Sequence, residues 1–212
     1  MYKVLTNKQL SKLKLSIKMD TSFKLSDMSQ CLELTDTIKT NPNEPIHRFK
    51  IIIAGDGGVG KTTFVKQHLH KKFTPAYVPT LGVDVDPITF NTNYGSIEFN
   101  VWDTAGQDKY GFLSEGYYIG GHGVICMFDT TSNTSYRNVR GWIKKIQNEI
   151  KNKNIPTIIC GNKCDIDGGY MSISQIYPNV IKISAKTKTD IDLPLLSLAR
   201  KLTGHRDLVF VD

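Results

Sequence analysis

The sequence predicts an α/β fold in which a six-stranded, mostly parallel sheet is covered by helices on both faces. From Phe49 onward, short apolar segments typical of buried strands alternate with segments that carry apolar residues at helical spacing. Polar or glycine-containing stretches directly follow four of these strands. Because ligands of such sheets bind at the carboxyl ends of the strands, the same pattern predicts where the functional site lies.

Residues 1–47 are predicted to lie outside this domain, which we place at residues 48–212. The segment is rich in Lys, Ser, Thr and Asp, and it ends in Asn41-Pro42-Asn43-Glu44-Pro45, which is typical of a linker. We interpret it as a disordered, basic N-terminal extension. Two alternatives stay open, a mitochondrial presequence and a basic patch that docks a partner or an anionic membrane.

Composition excludes several classes of protein. The net charge is +7, with no interleaving of basic and aromatic residues that would predict binding to nucleic acid. No apolar run is long enough to predict a membrane span. The four cysteines (Cys31, Cys126, Cys160 and Cys164) lack the ligand spacing of a zinc site and indicate a reduced intracellular protein.

The elements follow one another at short intervals. The second and third strands are joined through Asn91-Thr92-Asn93-Tyr94-Gly95, which predicts a hairpin. The predicted strands are 49–54, 83–90, 97–102, 123–128, 156–160 and 180–183. Helices are predicted from Thr63 onward, over Tyr136–Ile150 and over Leu193–Leu202.

The first motif follows the first strand. Gly55 to Thr62 fits the spacing G-x-x-x-x-G-K-[ST] of a phosphate-binding loop. Its glycines leave backbone N–H groups directed into one concavity, and the following helix adds the partial positive charge of its N-terminus. Lys61 can reach the outer phosphates and the Thr62 hydroxyl suits Mg²⁺. The predicted binding residues here are Asp56, Gly57, Gly58, Val59, Gly60, Lys61, Thr62 and Thr63.

The second motif, Asp103-Thr104-Ala105-Gly106-Gln107, follows the third strand. Asp103 can hold Mg²⁺ through water, the Gly106 N–H can approach a terminal phosphate, and Gln107 can orient a water for in-line attack. Thr80, in the loop Tyr77-Val78-Pro79-Thr80, could complete the Mg²⁺ shell only while a γ-phosphate is bound. That dependence would make the loop a switch.

The third and fourth motifs read a base. Asn162-Lys163-Cys164-Asp165 follows the fifth strand. The Asp165 carboxylate can accept both N1–H and the exocyclic amine of guanine, a pair that adenine does not present. Asn162 and the Lys163 stem can brace the loop and cover the base. Ser184-Ala185-Lys186 follows the sixth strand, where backbone N–H groups could meet the guanine oxygen.

With these motifs the sequence resembles the Ras superfamily of small GTPases, and within it the Ran family. The resemblance extends from about Arg48 to Val211 and is carried by short stretches of sequence. These are 55–58, 61–66, Thr80-Leu81-Gly82-Val83, 100–107, Gly116-Tyr117-Tyr118-Ile119, 160–163 and 198–202.

The resemblance implies a P-loop small-GTPase fold (a G domain) that binds GTP or GDP with Mg²⁺ and hydrolyses GTP slowly. In such proteins Lys61 neutralises phosphate charge, Thr62 and Thr80 ligate Mg²⁺, and Gln107 positions the water. Tyr77 matches the switch tyrosine through which the GTPase-activating protein of Ran helps to orient that glutamine.

The resemblance also implies partners and a location. We expect importin- and exportin-type transport receptors, an exchange factor and a GTPase-activating protein, in the cytoplasm and the nucleus. We expect a monomer, with no direct contact to nucleic acid. No cysteine follows Cys164, so we expect no prenyl anchor, and this argues against a membrane-trafficking GTPase of the Rab type.

Three features depart from Ran. The sequence stops at Asp212, without Ran's C-terminal helix and acidic tail, so partners that read the tail are not expected. Residues 166–183, where Ran has a basic patch, contain Lys182 as their only basic residue. Tyr110 and Phe112 replace the usual Phe and Gly of the second switch, which bears on docking to the carrier that imports the GDP form.

An alternative function stays open, a GTP-binding decoy or adaptor that engages transport receptors with little hydrolysis.

Overall fold

The computed structural model describes residues 45–70, 79–80, 82–106, 115–166, 177 and 179–211. They belong to a compact unit, Pro42–Asp212, that begins slightly before the predicted domain start at Arg48. The elements are β1 (Pro45–Ala54), α1 (Lys61–His70), β2 (Val83–Thr92), β3 (Gly95–Thr104), α2 (Glu115–Tyr118), β4 (Gly123–Asp129), α3 (Asn133–Ile150), β5 (Thr157–Asn162), β6 (Ile181–Lys182), α4 (Leu193–Thr203) and β7 (Phe210–Val211).

The strands form one sheet in the order β6-β5-β4-β1-β3-β2-β7. The pairs β6-β5, β5-β4, β4-β1 and β1-β3 are parallel, and β2 is antiparallel to β3. The mostly parallel sheet and the β2–β3 hairpin are confirmed, and the hairpin closes with Thr92 opposite Gly95.

The predicted count of six strands is wrong, because the sheet has a seventh strand at its edge. Phe210 and Val211 pair with Thr92 and Asn91 of β2. The Phe210 ring also stacks on the Phe90 ring, with centroids 3.9 Å apart. Two residues are too few to show strand periodicity, so only contacts with β2 define this strand.

Helices cover both faces, as predicted, because side chains alternate along β1. Ile51 and Ile53 belong to a core on one face together with residues of α1 and α4, such as Phe64 and Leu198. Ile52 and Ala54 belong to a second core on the other face, with α2 and α3. A strand whose neighbouring residues are all apolar is therefore buried on both sides.

The predicted helices are present, with ends set by capping. Helix α3 begins at Asn133, three residues before its predicted start, because Ser132 caps it: Ser132 Oγ accepts the Ser135 N–H at 3.3 Å. Helix α4 ends at Thr203 and is capped by Gly204, which adopts the left-handed conformation at φ 80°. The four-residue helix α2 is too short to produce an apolar period and was not predicted. Within the described part of the chain, no helix combines the length and apolarity needed to cross a membrane.

Candidate nucleotide-binding site

The described residues of all four motifs lie at one edge of the sheet. Strands β1, β3, β5 and β6 run in the same direction, and each ends where a motif begins. The parallel arrangement therefore gathers at this edge segments that are more than a hundred residues apart in sequence.

Lys61 is held against the phosphate-binding loop, where its ammonium is partly desolvated. Its Nζ donates to the backbone oxygens of Gly55 and Asp56, each at 2.8 Å, and the residue is 6% exposed. Burial lowers the pKa of Lys61 to about 8, opposed by the charges of Asp103 and Asp56. A desolvated cation at the start of a helix is suited to binding a phosphate.

Thr62 contacts both of the other residues predicted to hold the metal, Thr80 and Asp103. Thr62 Oγ1 donates to Asp103 Oδ2 at 2.5 Å and lies 2.8 Å from Thr80 Oγ1. The other carboxylate oxygen, Asp103 Oδ1, is buried and has no hydrogen-bond partner among the residues that the structure describes. An acceptor left in this way fits a cation or a water bound to one, because it otherwise carries an uncompensated desolvation cost.

Two hydroxyls and one carboxylate are too few to bind a metal by themselves. In the described ranges, no group of three His, Cys, Asp or Glu residues could hold an ion. Mg²⁺ is usually bound through one or two protein oxygens, with water and substrate phosphates as its other ligands. The residues present therefore fit a Mg²⁺ ion that arrives with a nucleotide.

Gly106 packs directly on the phosphate-binding loop. A Cβ added to Gly106 would lie 2.4 Å from Gly57 N and 2.5 Å from the backbone C and O of Asp56. Any side chain here would collide with the backbone of the loop. The start of the second switch can contact the loop only because this residue is glycine. The preceding residue, Ala105, donates its N–H to Gly82 O at 3.0 Å and so joins the two predicted switch regions.

Asn162 connects the phosphate-binding loop to the two loops that are predicted to bind a base. Its Nδ2 donates to Val59 O at 2.9 Å, and its Oδ1 accepts the N–H groups of Lys163 at 2.8 Å and Ala185 at 3.0 Å. Gly60 has φ 97°, and a Cβ there would lie 2.2 Å from Asn162 Nδ2. Asn162 is thus a structural brace, and it contributes little exposed surface of its own at 2%.

Asp165 is oriented by the fourth motif. Its Oδ1 accepts a hydrogen bond from Ser184 Oγ at 2.6 Å, and Lys186 Nζ lies 3.7 Å from its Oδ2. Ser184 Oγ in turn accepts the Thr187 N–H at 3.0 Å. The carboxylate is 13% exposed and is held from one side, which leaves an acceptor pair fixed in position for a base.

Asp129 belongs to the site but was not predicted. Its Oδ2 lies 2.6 Å from Lys163 Nζ, and its Oδ1 accepts from the N–H and hydroxyl of Thr131. Burial acts to raise the pKa of Asp129, but the hydrogen bonds from Lys163 and Thr131 outweigh it and lower the pKa. The sequence signal that could have identified Asp129 was its position. It is the last residue of the buried strand β4, and polar residues also end β3 and β5.

Several predicted residues add only backbone or lie elsewhere. The Val59 side chain is buried in the core at 2% exposure, and the Asp56 carboxylate turns toward α3, away from the loop concavity. Gln107 and Tyr77, predicted to act in hydrolysis, lie outside the described residues, as do Tyr110 and Phe112. Their roles stay predictions, although Gly106 places the chain beside the loop immediately before Gln107.

The chain matches a known protein family over most of its length. A family model described as "Ras: Ras family" matches residues 50–203, well over half of the 212-residue chain. The matched range contains all four motifs, from Gly55 to Lys186.

Proposed function

The chain belongs to the Ras family of small GTPases, and from this premise we propose that it is a Ran-like GTPase that regulates nucleocytoplasmic transport and hydrolyses GTP to GDP and phosphate. The observation that carries the enzymatic part is the meeting of Lys61, Thr62, Asp103 and Asp165 at one sheet edge. The transport role rests on the stretches that resemble Ran. Its receptors, exchange factor and activating protein, and its presence in cytoplasm and nucleus, belong to the same proposal.

Each residue has a distinct part in the proposed reaction. Lys61 and the loop N–H groups stabilise negative charge on the phosphates. Asp165 selects guanine, and Asn162 holds the base loops against the phosphate-binding loop. Mg²⁺ would be held by Thr62 and Thr80, and by Asp103 through water, and supplies neutralising charge on the phosphate oxygens when bound. Gln107 orients the attacking water, with Tyr77 assisting when the activating protein is present.

Single-turnover hydrolysis tests the enzymatic proposal. Protein loaded with γ-labelled GTP is expected to release phosphate at least about tenfold faster than its Gln107→Leu variant, because leucine cannot orient water. Gln147→Leu is the matched control: Gln147 lies on α3 and its Nε2 donates to Lys153 O, remote from the site. Wild-type release no faster than that of Gln107→Leu would overturn the enzymatic proposal and favour the decoy alternative.

Affinity capture tests the proposed pathway. The Gln107→Leu variant loaded with GTP is expected to retain importin-type receptors from a cell extract, and wild-type protein loaded with GDP should retain far less. The physical reason is that Thr80 and Gly106 would contact a γ-phosphate and so order the two switches in the GTP state alone. Equal retention by both nucleotide states, or retention of membrane-tethering proteins in place of importins, would contradict a Ran-like role.

A further inference from the structure

Asp56 is an acidic residue in the middle of a loop that binds anions. Its carboxylate does not face the loop concavity. Asp56 Oδ1 accepts the indole N–H of Trp142 at 2.7 Å, and Oδ2 accepts from Asn138 Nδ2 at 2.8 Å. Both donors belong to α3, one helical turn apart, so the helix holds both oxygens of this carboxylate.

The two donors differ in how firmly they are placed. Trp142 is 6% exposed and packs in the core between α3 and the sheet, so its indole N–H is fixed by the surrounding side chains. Asn138 is exposed, and its amide completes the second contact from the solvent side. The carboxylate is therefore held by one rigid donor and one surface donor, which we call the Asp56 clamp.

A released Asp56 carboxylate would oppose nucleotide binding. The backbone oxygen of Asp56 accepts a hydrogen bond from Lys61 Nζ, and the negative charge of Asp56 acts to raise the pKa of the Lys61 ammonium. Once free to rotate, the carboxylate could compete with a phosphate for that ammonium and would repel the phosphate directly. The clamp prevents both by holding the negative charge on the α3 side.

The backbone of Asp56 also contacts the second switch. The position of a Cβ on Gly106 falls 2.5 Å from the backbone C and O of Asp56, so these two residues are in direct contact. Asp56 thus contacts Lys61, Gly106 and α3 at the same time.

We propose that Trp142 and Asn138 are positioning residues of the nucleotide site, which slow nucleotide release by holding the Asp56 carboxylate away from the phosphates. The proposal rests on the proposed binding of guanine nucleotides. It assigns to α3 a direct part in nucleotide retention, so a partner that displaced Asn138 or Trp142 would accelerate release.

Release of a fluorescent GDP analogue in the presence of excess GDP and Mg²⁺ tests the proposal. Trp142→Phe keeps an aromatic ring but removes the N–H, and it is expected to raise the release rate about 10- to 100-fold, as for loss of one hydrogen bond to a charged group. Asn138→Ala should raise it about 2- to 5-fold. Asn148→Ala, at another exposed position of the same helix, should leave the rate unchanged.

A double-mutant cycle separates positioning from a general loss of structure. In an Asp56→Ala background, which has no carboxylate to hold, Trp142→Phe is expected to change release by less than about twofold. If Trp142 had a purely structural role, Trp142→Phe would accelerate release equally in the Asp56→Ala background. That result would overturn the proposal. If Trp142→Phe does not fold, Asn138→Ala carries the same cycle, since its side chain is exposed.

Failure of the two proposals gives different results. If wild-type protein binds the GDP analogue and Trp142→Phe and Asn138→Ala release it at the wild-type rate, the clamp proposal alone is overturned. Wild-type protein that does not bind the analogue overturns guanine-nucleotide binding and the clamp together.

Discussion

Replacing Lys61 with methionine is expected to reduce the affinity for GDP by roughly 1000-fold. A unit charge about 4 Å from a phosphate contributes about 4 kcal/mol at the effective dielectric constant of a protein site, which corresponds to that factor. Lys61 is buried and its Nζ is already held at the loop, so little ordering is needed when a phosphate binds. Methionine has a similar length and keeps the packing of the stem.

Titration of GDP binding by fluorescence measures this effect, and Lys66→Met is the matched control. Lys66 lies on the same helix but is exposed, so its replacement should change the affinity only slightly. Comparable losses in the two variants would show that general positive charge, and not the position of Lys61, retains the nucleotide.

The pH dependence of binding gives Lys61 a second signature. The pKa of Lys61 is lowered to about 8 by burial, so in the free protein the ammonium loses its proton as the pH rises through this value. A bound phosphate favours the protonated form and raises that pKa, so binding takes up a proton above pH 8. Affinity for GDP is therefore expected to fall with rising pH from about 8, by up to tenfold per unit. The Lys61→Met variant should lose this component.

The second large effect is expected at the base. Asp165→Asn should shift the ratio of affinities for GTP and xanthosine triphosphate by about 100- to 10,000-fold toward xanthine. In the proposed role the aspartate accepts two hydrogen bonds from guanine, whereas the asparagine amide would face the N–H donors of guanine with one donor of its own. Xanthine has an oxygen in place of the exocyclic amine and can accept from that amide.

The contacts of Asp165 make this substitution selective. Asparagine can still accept a hydrogen bond from the Ser184 hydroxyl through its Oδ1, so the loop should keep its shape. Competition binding of the two triphosphates measures the ratio. Asp190→Asn is the control, because Asp190 is exposed and has φ 52°, a conformation that asparagine tolerates well. An unchanged ratio in Asp165→Asn would contradict its role in base recognition.

Most of the fold could be predicted because apolar strands and motifs alternate along the chain. The six predicted strands and three predicted helices are all present, and the motifs lie at the carboxyl ends of the strands. The four-residue helix α2 and the two-residue strand β7 each span only about one structural period, which is too short for a repeating apolar pattern, and neither was predicted. Strand β7 exists because Phe210 stacks on Phe90, a contact between residues far apart in sequence.

The sequence by itself predicted the chemistry of this protein: a phosphate-binding loop, a carboxylate for a metal and a carboxylate for guanine, each directly after a strand of a mostly parallel sheet. Only the tertiary structure decided how these groups are held. The Lys163–Asp129 ion pair, the Asn162 brace and the Asp56 clamp each join residues that are far apart in sequence. Such contacts depend on the packing of α3 and β4 against the loops, which no local pattern of residues encodes.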